Sequence, residues 1–167
     1  MPSNADFDAA FFDLVRTSPD AEPVFAKLGE RIHDIIGTRL FSATVFDMES
    51  RQSRRVYSEN TDAYPVGGFK PISDGLWSDT VLVRHQIFHT VSIDKIAEVF
   101  FDWELIRSLG NESNANIPAI VGGEVIGTIN LLHETGYYTA DRLARAGELE
   151  PYATVAFLMA LRGRAIG

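Results

Sequence analysis

Between residues 6 and 16 the apolar positions Phe7, Phe11, Leu14 and Val15 recur at helical spacing. Asp6 stands where a side chain can accept hydrogen bonds from the free amides of a first turn, so a short amphipathic helix is predicted there. Residues 17–20 (Thr-Ser-Pro-Asp) break the pattern. A second helix is predicted over residues 23–36, where Phe25, Leu28, Ile32, Ile35 and Ile36 share a face, Pro23 opens the first turn and Gly37 closes the last. The pattern then changes to aromatic and β-branched residues over Leu40–Asp47, followed by a turn at 48–50 and a second run over 53–59. Together these read as a β-hairpin. Residues 60–73, rich in Pro, Gly and Asp, read as a long loop whose Tyr64 and Phe69 need burial.

Asp74 is the expected N-cap of a helix reaching about His85, with Trp77 and Val81 on one side and Leu76 and Val83 on the other. A short strand is expected over 87–91. A helix beginning at Ser92 or Asp94 and ending at Gly110 follows, its apolar residues pointing almost all round, so that it must be covered on more than one side. Residues 114–121 and 124–132 are two β-rich runs joined by Gly122-Gly123, both able to take positive φ. A last helix is expected from Thr139, with Pro151 either kinking it or restarting it at a first turn. This order of elements predicts an α+β fold: a central antiparallel sheet of five or six strands with the helices on its faces. The helix over 23–36 and the last helix are expected together on one face.

Strand alternation separates two surfaces of different polarity. Ser42 and Thr44 share a face with Leu40 and Phe46, Asn114 with Asn116, and Thr128 with Asn130. The opposite faces carry Phe41, Ala43 and Val45, then Ala115, Ile117 and Ala119, then Val125, Gly127, Ile129 and Leu131. With the dry face against the terminal helices, the other supplies hydroxyl and amide groups to a cavity walled by Trp77, Phe100 and Trp103, the mixture a small-molecule site needs. The candidate ligand-binding residues are therefore Thr44, Phe46, Tyr57, Trp77, His89, Phe100, Trp103, Asn116, Thr128 and Asn130. The plainer alternative is that the polar side chains bond one another or water.

Composition narrows the chemistry. The chain has 167 residues, 46% hydrophobic and 23% charged, which suits one soluble globular domain. Lys and Arg total 15 against 23 Asp and Glu, a formal charge of −8 that repels phosphate backbones and anionic lipid, so neither nucleic acid nor membrane is an expected partner. The amino terminus has no basic region followed by an apolar core, and no apolar run is long enough to span a bilayer, so a cytoplasmic protein is expected. There is no cysteine, which removes disulfides, thiolate metal sites and cysteine nucleophiles.

No glycine-flanked serine or nucleophile elbow is present, and Asp102 and Glu104 do not face each other on a helix, so no catalytic residue is assigned and no enzyme is expected. His85 and His89 would make a metal pair on one helix, with Asp102, Glu104 or His133 as a third ligand, but the strand-like run between them turns the two rings apart. No metal or other cofactor is expected. His33 falls outside the apolar stripe of its helix, and Arg54-Arg55 reads as a solvated strand edge.

Residues 116–131, Asn-Ile-Pro-Ala-Ile-Val-Gly-Gly-Glu-Val-Ile-Gly-Thr-Ile-Asn-Leu, followed by Tyr138-Thr139 and a helix from Asp141, resemble the carboxy-terminal half of a GAF domain. The family's proline-ended strand, glycine turn and Ile-Gly-x-Ile strand correspond to this run, the last at residues 126–129. The order of the earlier elements matches too, so the resemblance covers about residues 20–162, leaving 1–19 as a helix and linker and 163–167 as a tail. The resemblance implies adjacent first and last strands, terminal helices on one face and a ligand pocket under the middle helices on the other. It implies a small-molecule-binding sensory domain in signal transduction, standing alone and paired as a homodimer through its terminal helices. The cysteine-dependent sulfoxide reductases and bilin-attaching members are excluded by composition, and the signature of cyclic-nucleotide-binding members is not visible around Lys27, Lys70 or Lys95. The alternatives are a structural dimerisation module whose cavity its own side chains fill, and a metal-assisted enzyme built on His85 and His89.

Overall fold

The computed structural model describes residues 3–165, with side chains through residue 162. Helix α1 spans Asn4–Thr17, two residues longer at its start than the apolar pattern indicates. Ser3 is the N-cap: its hydroxyl accepts from the Asp6 amide at 3.1 Å, and Asp6 accepts in return from the Ser3 amide at 3.2 Å. This reciprocal box places Asp6 at the third helical position and not at the cap. Helix α2 spans Glu22–Ile35, with Pro23 in its first turn and Gly37 at φ 92° just beyond it. Strands β1 (Leu40–Asp47) and β2 (Gln52–Ser58) form the expected hairpin.

The segment expected as a plain loop holds a further strand, β3 (Gly67–Pro71), paired antiparallel with β2. Its sequence Gly-Gly-Phe-Lys-Pro lacks β-branched residues and alternation, all five residues are exposed, and backbone pairing alone makes it a strand. The helix expected from Asp74 is reduced to one α-turn, α3 (Leu76–Ser78), continued by a π-turn at Asp79–Val83. Asp74 does not cap it but pairs with Arg51 at 2.5 Å. Strand β4 is Phe88–Thr90.

The single helix expected between Ser92 and Gly110 is two, α4 (Ile93–Ala97), capped by Ser92, and α5 (Trp103–Ser108). Ile96 and Ile106 are both buried in one cluster with Leu40, Tyr64 and Leu132. In one straight helix they would stand about 15 Å apart along the axis. Breaking the helix at 98–102 lets both reach the same patch of sheet, and the break leaves Phe101 90% exposed.

Strands β5 (Ser113–Val121) and β6 (Glu124–His133) form the second hairpin, with Gly122 and Gly123 at φ 62° and 83° as its two-residue turn demands. A 3-10 turn at Ala146–Leu149 leads into α6 (Glu150–Ala165), so Pro151 sits in a first turn and restarts the helix. Of the expected tail 163–167, residues 163–165 belong to α6, and 166–167 lie outside the described residues.

The six strands make one antiparallel sheet in the order β3-β2-β1-β6-β5-β4, with β1 and β6 adjacent at its centre. Helices α1, α2 and α6 cover one face, where Phe25, Phe41, Ile129, Leu131 and Phe157 are buried in a single core. Helix α1 joins this core: Phe7 and Phe11 each pack edge-on against Tyr152 of α6, with ring centroids 5.1 Å apart. Two register shifts decide which side chains reach the other face. In β2 the shift opposite Ala43/Thr44 sets Tyr57 against Ala43 and Arg55 against Thr44. In β6 a shift pairs Gly127 with Ala119 but Val125 with Ile120, so Val125 leaves the helical face on which strict alternation puts it and joins the cluster of Val81, Leu82 and Phe88.

Candidate functional site

The face of the sheet away from the long helices carries a line of polar side chains that spans four neighbouring strands, β4, β5, β6 and β1. Thr90 donates to Asn114, and Asn114 Nδ2 donates to Asn116 Oδ1 at 2.9 Å. Asn116 Nδ2 donates to Asn130 Oδ1 at 2.9 Å, which also accepts from Thr128 at 2.8 Å. Asn130 Nδ2 donates to Thr44 at 3.0 Å and, at 3.4 Å, to Ser42. Trp77 ties the covering layer to this line, its indole N–H donating to Asn116 Oδ1 at 3.0 Å. The strands set the spacing: Asn116 stands opposite Asn130, and Asn130 opposite Ser42, in the antiparallel register.

Above this floor lies a cavity of about 440 Å³, bounded by α3, the chain from the end of β3 to α3 (residues 70–75), the α4–α5 segment and Tyr64. Leu40, Phe46, Trp77, Phe100 and Ile106 supply its apolar walls. Of the residues expected at a ligand site, Thr44, Phe46, Trp77, Phe100, Asn116, Thr128 and Asn130 line this one space. Three expected residues lie elsewhere. Tyr57 faces the helices because of the β2 bulge, and its ring stacks on Phe25 at 5.7 Å. His89 alternates away from Phe88 and Thr90, and its Nδ1 donates to the Tyr138 carbonyl at 2.8 Å. Trp103 packs at the outer side of the Ile96 and Ile106 cluster, with the Arg107 guanidinium 5.0 Å from its ring.

Residues that the sequence pattern did not single out complete the lining. Arg55, expected on a solvated edge, is half-buried in the cavity wall, because β3 covers the edge of β2 and the bulge turns Arg55 to the Thr44 side. Its guanidinium lies 5.1 Å from the centre of the Tyr64 ring and donates one long bond, 3.4 Å, to the Pro65 carbonyl. Its Nε is buried with no acceptor, and burial lowers its pKa. Tyr64 is only 5% exposed and its hydroxyl has no partner. Burial first, and the neighbouring Asp102 charge second, push its pKa up to about 12. Asp102, at the start of α5, lines the cavity as well. Arg55 and Tyr64 were legible only as a cation in a strand and an aromatic in a loop; no local signal tells which face a bulged strand presents.

Among the described residues no three or more of His, Asp and Glu converge as metal ligands. His85 lies two residues beyond the π-turn at φ 57°, and His89 is engaged with Tyr138, so the two imidazoles do not form the pair that helical spacing would give. Among the described residues no helix is long and apolar enough to cross a membrane.

No protein-family model and no curated protein matches the sequence. Solved structures do match the fold. The GAF domain of an Acinetobacter phosphoenolpyruvate-protein phosphotransferase superposes with a TM-score of 0.67 at 14% identity, over 99% of this chain and 98% of that one. The GAF domain of a Bacillus halodurans two-component sensor histidine kinase gives 0.65 at 15% identity, over 81% and 92%. A free methionine-R-sulfoxide reductase from Neisseria meningitidis, solved with its substrate, gives 0.63 at 13%, over 98% and 96%. The chain therefore has a GAF-like fold, an architecture that carries sensor domains and also enzymes.

Proposed function

We propose that this chain is a sensory or regulatory domain that holds a small molecule between the polar face of its sheet and the α3–α5 layer, and that it works as a homodimer. The observation that carries the reading is the cavity itself. At about 440 Å³ it falls within the range of small-molecule sites, and it combines aromatic walls with a few fixed polar groups. The sensor-kinase and phosphotransferase GAF domains among the similar structures support a regulatory role in place of a catalytic one. The dimer draws on α1 and α6, which present the half-buried Phe12 and Leu14 on α1 and Val155 and Leu161 on α6, with Leu158 of α6 45% exposed.

The asparagine and threonine line is satisfied without any ligand, which favours a second reading, a structural dimerisation module. Native mass spectrometry before and after denaturation separates the two. A bound small molecule lost on denaturation supports the sensory domain. A bare chain, joined to no change in tryptophan fluorescence across a metabolite library, supports the module.

A further inference from the structure

Three charged side chains of the cavity lining have no ion-pair partner among the described residues: Arg55 and Asp102, both half-buried and of opposite charge, and the exposed Lys70 on β3. Arg55 on β2 has one long bond to a carbonyl. The Asp102 carboxylate makes no capping bond to α5 and accepts no other side-chain hydrogen bond. The other acids of the wall are engaged, Asp74 by Arg51 at 2.5 Å and Glu98 by Lys95 at 3.5 Å. Arg55 and Asp102 lie near enough to feel each other's charge, but they are not in contact. Half-buried charges held apart in this way are costly unless something bridges them, and a charge-assisted bond to each would recover that cost. A phosphate or a dicarboxylate could draw on Arg55 and on the solvent-exposed Lys70, but it would set its second negative charge against the half-buried Asp102, which repels it. A simple amine would leave Arg55 unmatched.

We propose that the cavity takes an amphoteric ligand, a free α-amino acid with an apolar or aromatic side chain, its carboxylate paired with Arg55 and its ammonium with Asp102. The side chain lies against Phe46, Trp77 and Phe100, and the neutral asparagine floor accepts it without a further charge. The buried Tyr64 ring lies 5.1 Å from the Arg55 guanidinium and occupies one side of it, so a carboxylate must be received from the other directions. This inference rests on reading the cavity as a ligand site, and the experiment keeps the two apart.

The purified chain is titrated by calorimetry and tryptophan fluorescence with the proteinogenic apolar amino acids, with 3-phenylpropionate, which lacks the ammonium, and with 2-phenylethylamine, which lacks the carboxylate. At least one apolar amino acid should saturate the protein, and removal of either charged group should weaken binding tenfold or more. Arg55→Met and Asp102→Asn should each weaken the amino acid by a similar factor while leaving the melting temperature near that of the parent. The proposal is overturned if no amino acid binds, if 2-phenylethylamine or 3-phenylpropionate binds as well as L-phenylalanine, or if folded Arg55→Met keeps full affinity. Should either variant fold poorly, the three-compound series on the parent protein decides alone. A different small molecule found by native mass spectrometry would sink the amino-acid proposal and leave the sensory reading standing, whereas an empty cavity under every condition would sink both.

Discussion

Gly127 lies where α6 crosses β6, and a Cβ at this position would overlap the ring of the fully buried Phe157. That close approach gives a physical reason for glycine in the Ile-Gly-x-Ile run. Gly127→Ala must push the helix or the ring aside and should cost about 1–3 kcal/mol in urea unfolding. Gly147→Ala, which meets nothing within 4 Å, should stay within about 0.5 kcal/mol of the parent. Asn116 is the junction of the polar line, accepting from Trp77 and Asn114 and donating to Asn130. Asn116→Ala removes the acceptor of the Trp77 N–H and of Asn114 Nδ2, while Asn130 Oδ1 keeps its bond from Thr128. The expected loss is about 2–3 kcal/mol, accompanied by a red shift of tryptophan emission as the Trp77 indole N–H turns to water. An unchanged spectrum would mean that the Trp77 bond does not position the ring.

At the scale of elements, the turn after β6 staples the end of α2. Tyr138 and Tyr137 donate to the carbonyls of Gly37 and Ile36 at 2.9 and 3.0 Å. Burial raises the pKa of Tyr138 strongly, with the Thr38 hydrogen bond opposing it, and burial raises Tyr64 to about 12. Both groups must stay protonated in the folded state, while in the unfolded chain they ionise near pH 10. Their folded pKa values lie above the unfolded ones, so their contribution is fully present below about pH 10 and is lost as pH rises from there through about 12. Alkaline unfolding followed by circular dichroism should therefore coincide with the rise of tyrosinate absorbance. Tyr138→Phe should lose about 1 kcal/mol at neutral pH through the missing bond to Gly37 and lose part of the alkaline sensitivity. The split of α4 from α5 belongs to this scale as well, since the demand that Ile96 and Ile106 meet one patch of sheet overrides a helical pattern that continues through Phe101.

At the scale of the molecule, α1 folds back over its own domain, and Phe11 is completely buried against Tyr152. A charge at Phe11 would therefore unfold the chain and say nothing about pairing. Leu158, on the outer side of α6, is the site that tests the dimer. Light scattering should give a mass near twice 18.5 kDa for the parent, and Leu158→Arg should give 18.5 kDa with an unchanged melting temperature. A parent that stays monomeric at high micromolar concentration removes the dimer from the proposal. The α+β class, both hairpins, the paired terminal helices and most of the polar line were legible in the amino-acid sequence, because the local period of apolar residues and the glycine turn are set by neighbours along the chain. Seven of the ten expected ligand-site residues line the cavity: Thr44, Phe46, Asn116, Thr128 and Asn130 through alternation within a strand, which needs no distant partner, and Trp77 and Phe100 from the segments that cover the sheet. What only the tertiary structure decided is β3, the breaking of the α4–α5 segment, and the side of the sheet on which Val125, Tyr57 and Arg55 lie. Each depends on a partner far along the chain: a backbone edge that needs no particular side chains, a sheet patch that two isoleucines must share, and a one-residue bulge that turns every later side chain to the opposite face.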